Sequence, residues 1–238
     1  MKKYVLSIDQ GTTGTTALIV DKDSLEVIGK ENVEFPQIFP KPGLVEHNLN
    51  DIWQSTLESI NKVFQSTSLA GADIYSIGIT NQRETICAFG NDGTPHTNAI
   101  VWQDRRTSNY CEENKDRYEK LRKKTGLPLD PYFSGTKIKW LLENSPNVQS
   151  ALEKSNLRVG TIDTFLLYKL TGGKSFYTEP SNASRTLLMN LNSTDWDKEL
   201  LNFFKIDKKI LPAIKDSFSD FGTTKGLDIL PDGISINC

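Results

Sequence analysis

The first segment of the chain alternates between two faces with a period of two. Residues 4–8 carry larger apolar side chains on one face, and the run ends at Asp9. After a turn rich in Gly and Thr, apolar runs at 17–20 and 27–35 indicate two further strands. The pattern therefore predicts a meander of three strands, the first of which ends in a carboxylate.

Helical and strand patterns follow one another along the rest of the chain. Trp53, Leu57, Ile60 and Phe64 share one helical face, and Asn50 is the predicted N-cap of that helix. We predict further strands at 74–80, 85–89, 99–102, 157–159 and 186–189, a turn at 91–93, and helices at 107–125, 137–144 and 164–170. Residues 85–89 are expected to pair with 74–80 or with a neighbouring strand. This order favours an α/β fold with a mixed sheet flanked by helices.

Composition and charge limit the classes of function. The 238 residues are 37% hydrophobic, enough for a sizeable core, and the net charge of -2 argues against nucleic-acid binding. No apolar run approaches the ~20 residues that cross a bilayer, so we expect a soluble, cytoplasmic protein with no membrane partner. The three cysteines, Cys87, Cys111 and Cys238, are widely spaced and are predicted to be free thiols.

A carboxylate and a Gly/Thr-rich turn stand together at the end of the first strand. Asp9 is followed by Thr12, Thr13 and Gly14. Backbone N–H groups of such turns converge on phosphate oxygens, and a carboxylate can hold Mg²⁺ through its waters. The alternative is a tight hairpin with a solvated aspartate.

Two further clusters carry candidate chemistry. Arg83 and Glu84 follow an apolar strand, where a donor beside an acceptor suits the hydroxyls of a polyol; the alternative is a surface ion pair. Trp102 precedes a charged cluster, and the alternative there is a core tryptophan. His47 and His96 stand apart from other candidate groups, and no serine or cysteine has local partners that would make it a nucleophile.

Several stretches, spread in order over nearly the whole chain, are similar to one family. The sequence resembles the N-terminal half of the FGGY carbohydrate kinases, and among them the members that phosphorylate glycerol. Residues 132–144 also fit the general signature of the family, including Ser134, Lys137 and Trp140. The matching stretches are 9–13 (DQGTT), 40–47 (PKPGLVEH), 78–85 (GITNQRET), 99–107 (AIVWQDRRT), 130–140 (DPYFSGTKIKW), 160–164 (GTIDT) and 181–186 (SNASRT).

The resemblance implies a fold, a reaction and a set of site residues. It implies a ribonuclease-H-like, actin-like ATPase domain over residues 1–238, and a second domain with the same core beyond them. Glycerol and ATP would meet between the two, giving glycerol 3-phosphate, and the complete protein would be a homo-oligomer. Mg²⁺ would be held through water by Asp9. The glycerol site would be lined by Arg83, Glu84, Trp102 and Tyr132. The ATP phosphates would be bound by Thr12, Thr13, Gly14 and Thr16.

Some positions depart from the family pattern or lie outside the chain. Many bacterial relatives have an arginine where this chain has Thr16, which leaves nucleotide affinity open, and Glu179-Pro180 replaces the usual Asp-Tyr. Regulated bacterial relatives carry a Gly-rich loop that ends in an arginine, whereas residues 226–233 here have two acids and no arginine. The resemblance therefore implies weak or absent inhibition by fructose 1,6-bisphosphate. The catalytic base of the family, an aspartate, is expected beyond Cys238. We therefore predict no general base within this chain.

Two other classes of function remain open from the sequence alone. One is a kinase of the same family that acts on a larger sugar or polyol. The other is a non-catalytic nucleotide-binding module of the actin and Hsp70 type, for which the set formed by Arg83, Glu84, Trp102 and Tyr132 would have no use.

Overall fold

The computed structural model describes residues 2–237 and shows alternating strands and helices. The strands are β1 (Tyr4–Gln10), β2 (Gly14–Asp21), β3 (Val27–Glu34), β4 (Glu46–His47), β5 (Ile74–Asn81), β6 (Ile86–Phe89), β7 (Ala99–Ile100), β8 (Arg158–Thr161), β9 (Tyr177–Thr178), β10 (Met189–Asn190), β11 (Asp195–Trp196), β12 (Ala213–Ile214) and β13 (Ser235–Ile236). The helices are α1 (Leu49–Thr67), α2 (Ser108–Thr125), α3 (Ser134–Asn144), α4 (Pro146–Glu153), α5 (Ile162–Leu170), α6 (Pro180–Ala183) and α7 (Lys198–Phe204), with 3-10 turns at Gly71–Asp73 and Lys208–Ile210.

The larger sheet has five strands in the order β13-β5-β1-β2-β3. β1, β2 and β3 form the predicted antiparallel meander, whereas β5 joins β1 and β13 joins β5 in parallel. The predicted mixed sheet is therefore confirmed. Asp9 lies opposite Thr16 on β2 and Thr80 on β5, so the ends of β1 and β5 share one edge. Binding groups of open α/β sheets lie at this kind of edge.

A second sheet, in the order β4-β7-β6-β8, is antiparallel throughout. Of the two pairings expected for residues 85–89, the one with 74–80 is wrong and the one with a neighbouring strand is confirmed, because β6 pairs with β7 and β8. Glu84, between β5 and β6, has a left-handed backbone with φ of 63°. The chain turns there and leaves the first sheet, so the two strands belong to different sheets.

Two hydrophobic clusters support the two sheets. The first packs α1 and α5 against the five-stranded sheet, with Ile8, Ile60 and Phe165 at its centre. The second lies among β6, α2, α3 and α7 and includes Tyr118 and Phe204. Cys87 and Cys111 are buried free thiols, as predicted, whereas Cys238 lies outside the described residues.

Several predicted boundaries are corrected. The N-cap of α1 is Asn48, whose side chain accepts a 2.8 Å hydrogen bond from the backbone N–H of Asn50; Asn50 itself is helical. α3 begins three residues earlier than predicted, α4, α6 and α7 were not predicted, and the strand expected at 186–189 is reduced to β10. None of the helices within residues 2–237 has the length and apolar character that a membrane span requires.

Candidate active site

The turn between β1 and β2 is closed by its own backbone and admits only glycine at one position. The N–H of Gly11 donates to the carbonyl of Gly14 at 2.9 Å. A Cβ atom on Gly14 would lie 2.8 Å from the carbonyl oxygen of Val33 on β3, which is too close for any side chain. Asp9 and Thr13 are exposed beside this turn. Exposed hydroxyl, backbone and carboxylate groups are thus presented on a fixed hairpin.

Thr16 occupies the β2 position opposite Asp9. Its hydroxyl accepts a 2.9 Å hydrogen bond from Nδ2 of Asn32 on β3. The Thr16 side chain is therefore bound to the neighbouring strand, and, being uncharged, it adds no positive charge beside the hairpin.

A buried polar layer joins this hairpin to the turn after β5. The N–H of Gln82 donates to the carbonyl of Gln10 at 2.6 Å, and its side-chain amide donates to Gln10 Oε1 at 3.1 Å and to His47 Nδ1 at 3.2 Å. The other ring nitrogen of His47 donates to Gln37 Oε1 at 2.6 Å. Burial lowers the pKa of His47 to about 4, so the ring is neutral at physiological pH. Sequence reasoning missed this supporting role, because His47 has no chemical partner nearby in the chain.

Trp102 connects the hairpin to a second aromatic ring. Its indole Nε1–H donates to Thr12 Oγ1 at 3.0 Å, and its ring centroid lies 5.4 Å from that of Tyr132. Both aromatic side chains are half-buried, so each has an accessible surface. The sequence placed Thr12 in a phosphate site and Trp102 and Tyr132 in a polyol site; the structure brings all three together.

Glu84 forms an ion pair that the sequence did not indicate. Arg185 Nε donates to Glu84 Oε1 at 2.7 Å, and the Glu84 side chain is only 4% exposed. The Arg185 guanidinium lies 5.0 Å from the ring centroid of Phe133 and 6.0 Å from that of Tyr132. Glu84 is therefore held in the neighbourhood of Tyr132. Arg185 is 101 residues away in sequence, and the only available signal was its place in the matching stretch 181–186.

Arg83 faces a different space from the one beside Trp102. It is exposed, and within residues 2–237 its side chain makes no hydrogen bond or ion pair. It lines a cavity of about 210 Å³ together with Asn81, Asp163, Glu179 and Asn182. The structure thus brings Thr12, Trp102 and Tyr132 into contact and links Glu84 to them, while Arg83 borders the neighbouring cavity.

Asp163, in the wall of that cavity, is buried and accepts hydrogen bonds from the hydroxyls of Thr161 and Thr178. Burial raises the pKa of its carboxyl group to about 6, although both hydroxyls oppose that rise. Its two carboxylate oxygens are occupied by β8 and β9 side chains, which marks it as a structural group.

The structure supplies a reason for Glu179-Pro180. Glu179 is the N-cap of α6, and Pro180 is its first residue, where proline needs no N–H donor. The Glu179 carboxylate accepts from Ser181, Asn182 and also Ser217 Oγ, at 2.7 Å, on a distant segment. Burial opposes ionisation of Glu179, but these hydrogen bonds outweigh it and lower its pKa.

The family model described as "FGGY family of carbohydrate kinases, N-terminal domain" matches residues 4–228. A glycerol kinase from Rhizobium rhizogenes is 48% identical over 94% of this chain and 45% of its own length. One from Listeria monocytogenes is 50% identical over the same shares. The crystal structure of Plasmodium falciparum glycerol kinase with ADP superposes with a TM-score of 0.90 at 35% identity, covering 98% of this chain and 47% of that one.

These matches confirm the predicted α/β, actin-like ATPase fold. The chain spans about half the length of the curated relatives it matches. The family match covers the hairpin after β1, the Glu84 turn, Trp102, Tyr132 and Arg185 alike. The chain belongs to the FGGY family of carbohydrate kinases, of which it represents the N-terminal domain.

Proposed function

We propose that the gene product to which these residues belong transfers the γ-phosphoryl group of ATP to a terminal hydroxyl of glycerol, giving glycerol 3-phosphate. The observation that carries this proposal is the contact between Trp102 and Thr12. It joins an aromatic wall suited to a small carbon chain to the hairpin suited to phosphates. The names of the relatives at 48% and 50% identity support the same substrate.

The polyol site follows from the chemistry of its walls. Trp102 and Tyr132 supply an apolar surface for the carbon chain, and the Glu84 carboxylate accepts hydrogen bonds from hydroxyl groups. Arg83 supplies donors from the side of the neighbouring cavity. A site that pairs hydroxyls in this way discriminates strongly against analogues that lack them.

The hairpin would hold the nucleotide phosphates through the backbone and hydroxyls of Thr12, Thr13 and Gly14, with Thr16 on the adjoining strand. Within residues 2–237 no three His, Cys, Asp or Glu side chains are grouped to hold a metal. Mg²⁺ does not need such a group, because it keeps several of its waters and takes other ligands from the phosphates of its substrate. The exposed carboxylate of Asp9, beside the hairpin, is therefore sufficient as its protein ligand. When bound, Mg²⁺ would neutralise charge on the transferring phosphoryl group.

None of the carboxylates near the candidate site within residues 2–237 is assigned as the general base. Asp9 is assigned to Mg²⁺, Glu84 is paired with Arg185, Asp163 with two threonines, and Glu179 with the start of α6. We therefore assign the base, with the rest of the nucleotide site, to a second domain outside residues 1–238. Homo-oligomer formation stays a prediction from the resemblance, and a cytoplasmic location stays a prediction from the sequence.

Substrate selectivity tests this function directly. In coupled assays of the full gene product with MgATP, we expect turnover of glycerol and at least tenfold lower kcat/KM for xylulose and gluconate, because the aromatic wall fits a short carbon chain. A preference for either sugar substrate would favour a different kinase of the family. Binding of nucleotide without turnover of any polyol would favour the actin- or Hsp70-like module.

Fructose 1,6-bisphosphate is expected to leave the initial rate unchanged at sub-millimolar concentration. Asp232 already accepts the N–H of Gly226, at 2.7 Å, and the ammonium group of Lys225, so the donors that a phosphate would need are taken. The hydrogen bond from Lys225 also lowers the pKa of Asp232, which keeps it anionic. Initial rates with and without the bisphosphate check this, and strong inhibition would contradict it.

A further inference from the structure

Lys137 is a buried lysine that the proposed reaction does not use. It lies in the first turn and a half of α3, and its side chain is fully buried. No Asp or Glu of the described residues lies within ion-pair distance of it, although thirteen other ion pairs occur there. Burial lowers its pKa to about 7, although the carboxylates of Asp104 and Glu84 oppose that shift, so the charged and neutral forms are both populated near neutral pH. In either form the buried amine carries a desolvation cost that an apolar side chain would avoid.

The acceptors of Lys137 are two backbone carbonyls on separate segments. Its Nζ donates to the carbonyl of Tyr132 at 2.8 Å and to that of Val101 at 3.3 Å. Val101 immediately precedes Trp102. One side-chain nitrogen therefore joins the two backbone segments whose aromatic side chains lie 5.4 Å apart in the candidate polyol site.

The same end of α3 also holds the third element of that site. Ser134 Oγ donates to the carbonyl of Glu84 at 3.0 Å. Ser134 and Lys137 are three residues apart and so lie on one face of the helix. The backbones at Glu84, Trp102 and Tyr132 are thus all tied to this face.

We propose that Lys137 is a positioning residue for the polyol site: the two hydrogen bonds that its side-chain nitrogen donates set the spacing between Trp102 and Tyr132 and thereby the fit of the substrate carbon chain. This inference rests on the proposed function and adds to it a residue that does not itself contact substrate. A small displacement of Trp102 or Tyr132 is sufficient to impair the enzyme, since misplacement of a substrate by ~1 Å can lower the rate by as much as ~100-fold.

The test is a pair of matched variants in the full gene product. Lys137→Met keeps an unbranched side chain, one atom shorter, and removes its donors. Lys139→Met is the control, because Lys139 lies in the same helix and is only 8% exposed, but pairs with Glu143 and faces Tyr110, away from the site. Glycerol KM, ATP KM and kcat are measured for each variant, with thermal unfolding as the check of folding.

We expect Lys137→Met to raise the glycerol KM about tenfold, with a smaller change in kcat, as for loss of ground-state binding. The ATP KM should stay within about threefold, because Gln10, Gln82 and the Gly11–Gly14 bond hold the hairpin independently. Lys139→Met should leave both KM values near those of the wild type. A merely structural lysine would instead lower the unfolding temperature and leave the glycerol KM unchanged, which would overturn the proposal.

A second variant covers the case in which Lys137→Met does not fold. Lys137→Gln retains an N–H donor for one carbonyl, and we expect a glycerol KM between those of the wild type and the Met variant. If neither variant folds, Lys137 serves the fold as a whole and the positioning role is rejected. If the wild type does not phosphorylate glycerol, the proposed function fails; if it does and the KM of the variants is unchanged, only the inference fails.

Discussion

Residues 1–238 produced alone are expected to fold, yet to phosphorylate glycerol at least about 1,000-fold more slowly than the full gene product. A positioned general base contributes about 100- to 10,000-fold to a rate. Of the carboxylates near the candidate site, Asp9 is assigned to Mg²⁺, and Glu84, Asp163 and Glu179 are each committed to another partner. Folding does not depend on the same groups, because both sheets have hydrophobic clusters of their own.

A coupled kinase assay of this polypeptide beside the full gene product checks the expectation. Circular dichroism and a cooperative thermal transition provide the control for folding. Turnover within tenfold of the full protein would place the base among residues 1–238 and contradict our assignment of Glu84, Asp163 and Glu179. An unfolded polypeptide would contradict the claim that the two clusters suffice for folding.

Replacing Glu84 with alanine in the full gene product is expected to lower kcat/KM for glycerol at least tenfold. A lost hydrogen-bond partner in a buried site costs about 1–3 kcal/mol, and the substitution removes the acceptor for hydroxyls. It also leaves Arg185, 28% exposed, without its carboxylate. Unchanged glycerol turnover would remove Glu84 from the site.

A double-mutant cycle separates these two contributions. Arg185→Met should itself lower kcat/KM, because Glu84 would lose the donor that orients it. If Arg185 acts through Glu84, the double variant should be little worse than Glu84→Ala alone. Fully additive losses would show that Arg185 acts on substrate independently. Arg117→Met, which removes an exposed arginine near Phe203, is the matched control.

The periodicity of apolar residues along the sequence correctly predicted those strands and helices that depend on neighbouring residues alone. The period of two in residues 4–8 and the apolar face of α1 gave a strand and a helix in the right places. The same reasoning placed the N-cap at Asn50 instead of Asn48, since two asparagines two residues apart have equal capping chemistry. It missed α4 because Pro146 was not recognised as a first helical residue.

Long-range contacts account for the rest of what was missed. The pairing of β6 with β8 joins segments about 70 residues apart, and the ion pair between Glu84 and Arg185 joins residues 101 apart; periodicity carries no information about either. Lys137 is a third case, because a lysine within a helical pattern predicts an exposed position. Its burial follows only once Val101 and Tyr132 converge on the same helix end.

The left-handed backbone at Glu84 restricts which residues can replace it during evolution. With φ of 63°, β-branched residues are excluded by strain, whereas glycine and asparagine would relax the chain. Those two residues, however, would leave Arg185 facing an uncharged neighbour. Aspartate would keep the charge but is shorter by one methylene than the side chain that now reaches Arg185 Nε at 2.7 Å. Lineages that change substrate are therefore expected to replace residues 84 and 185 together, and covariation of the two positions would be the mark of such a change.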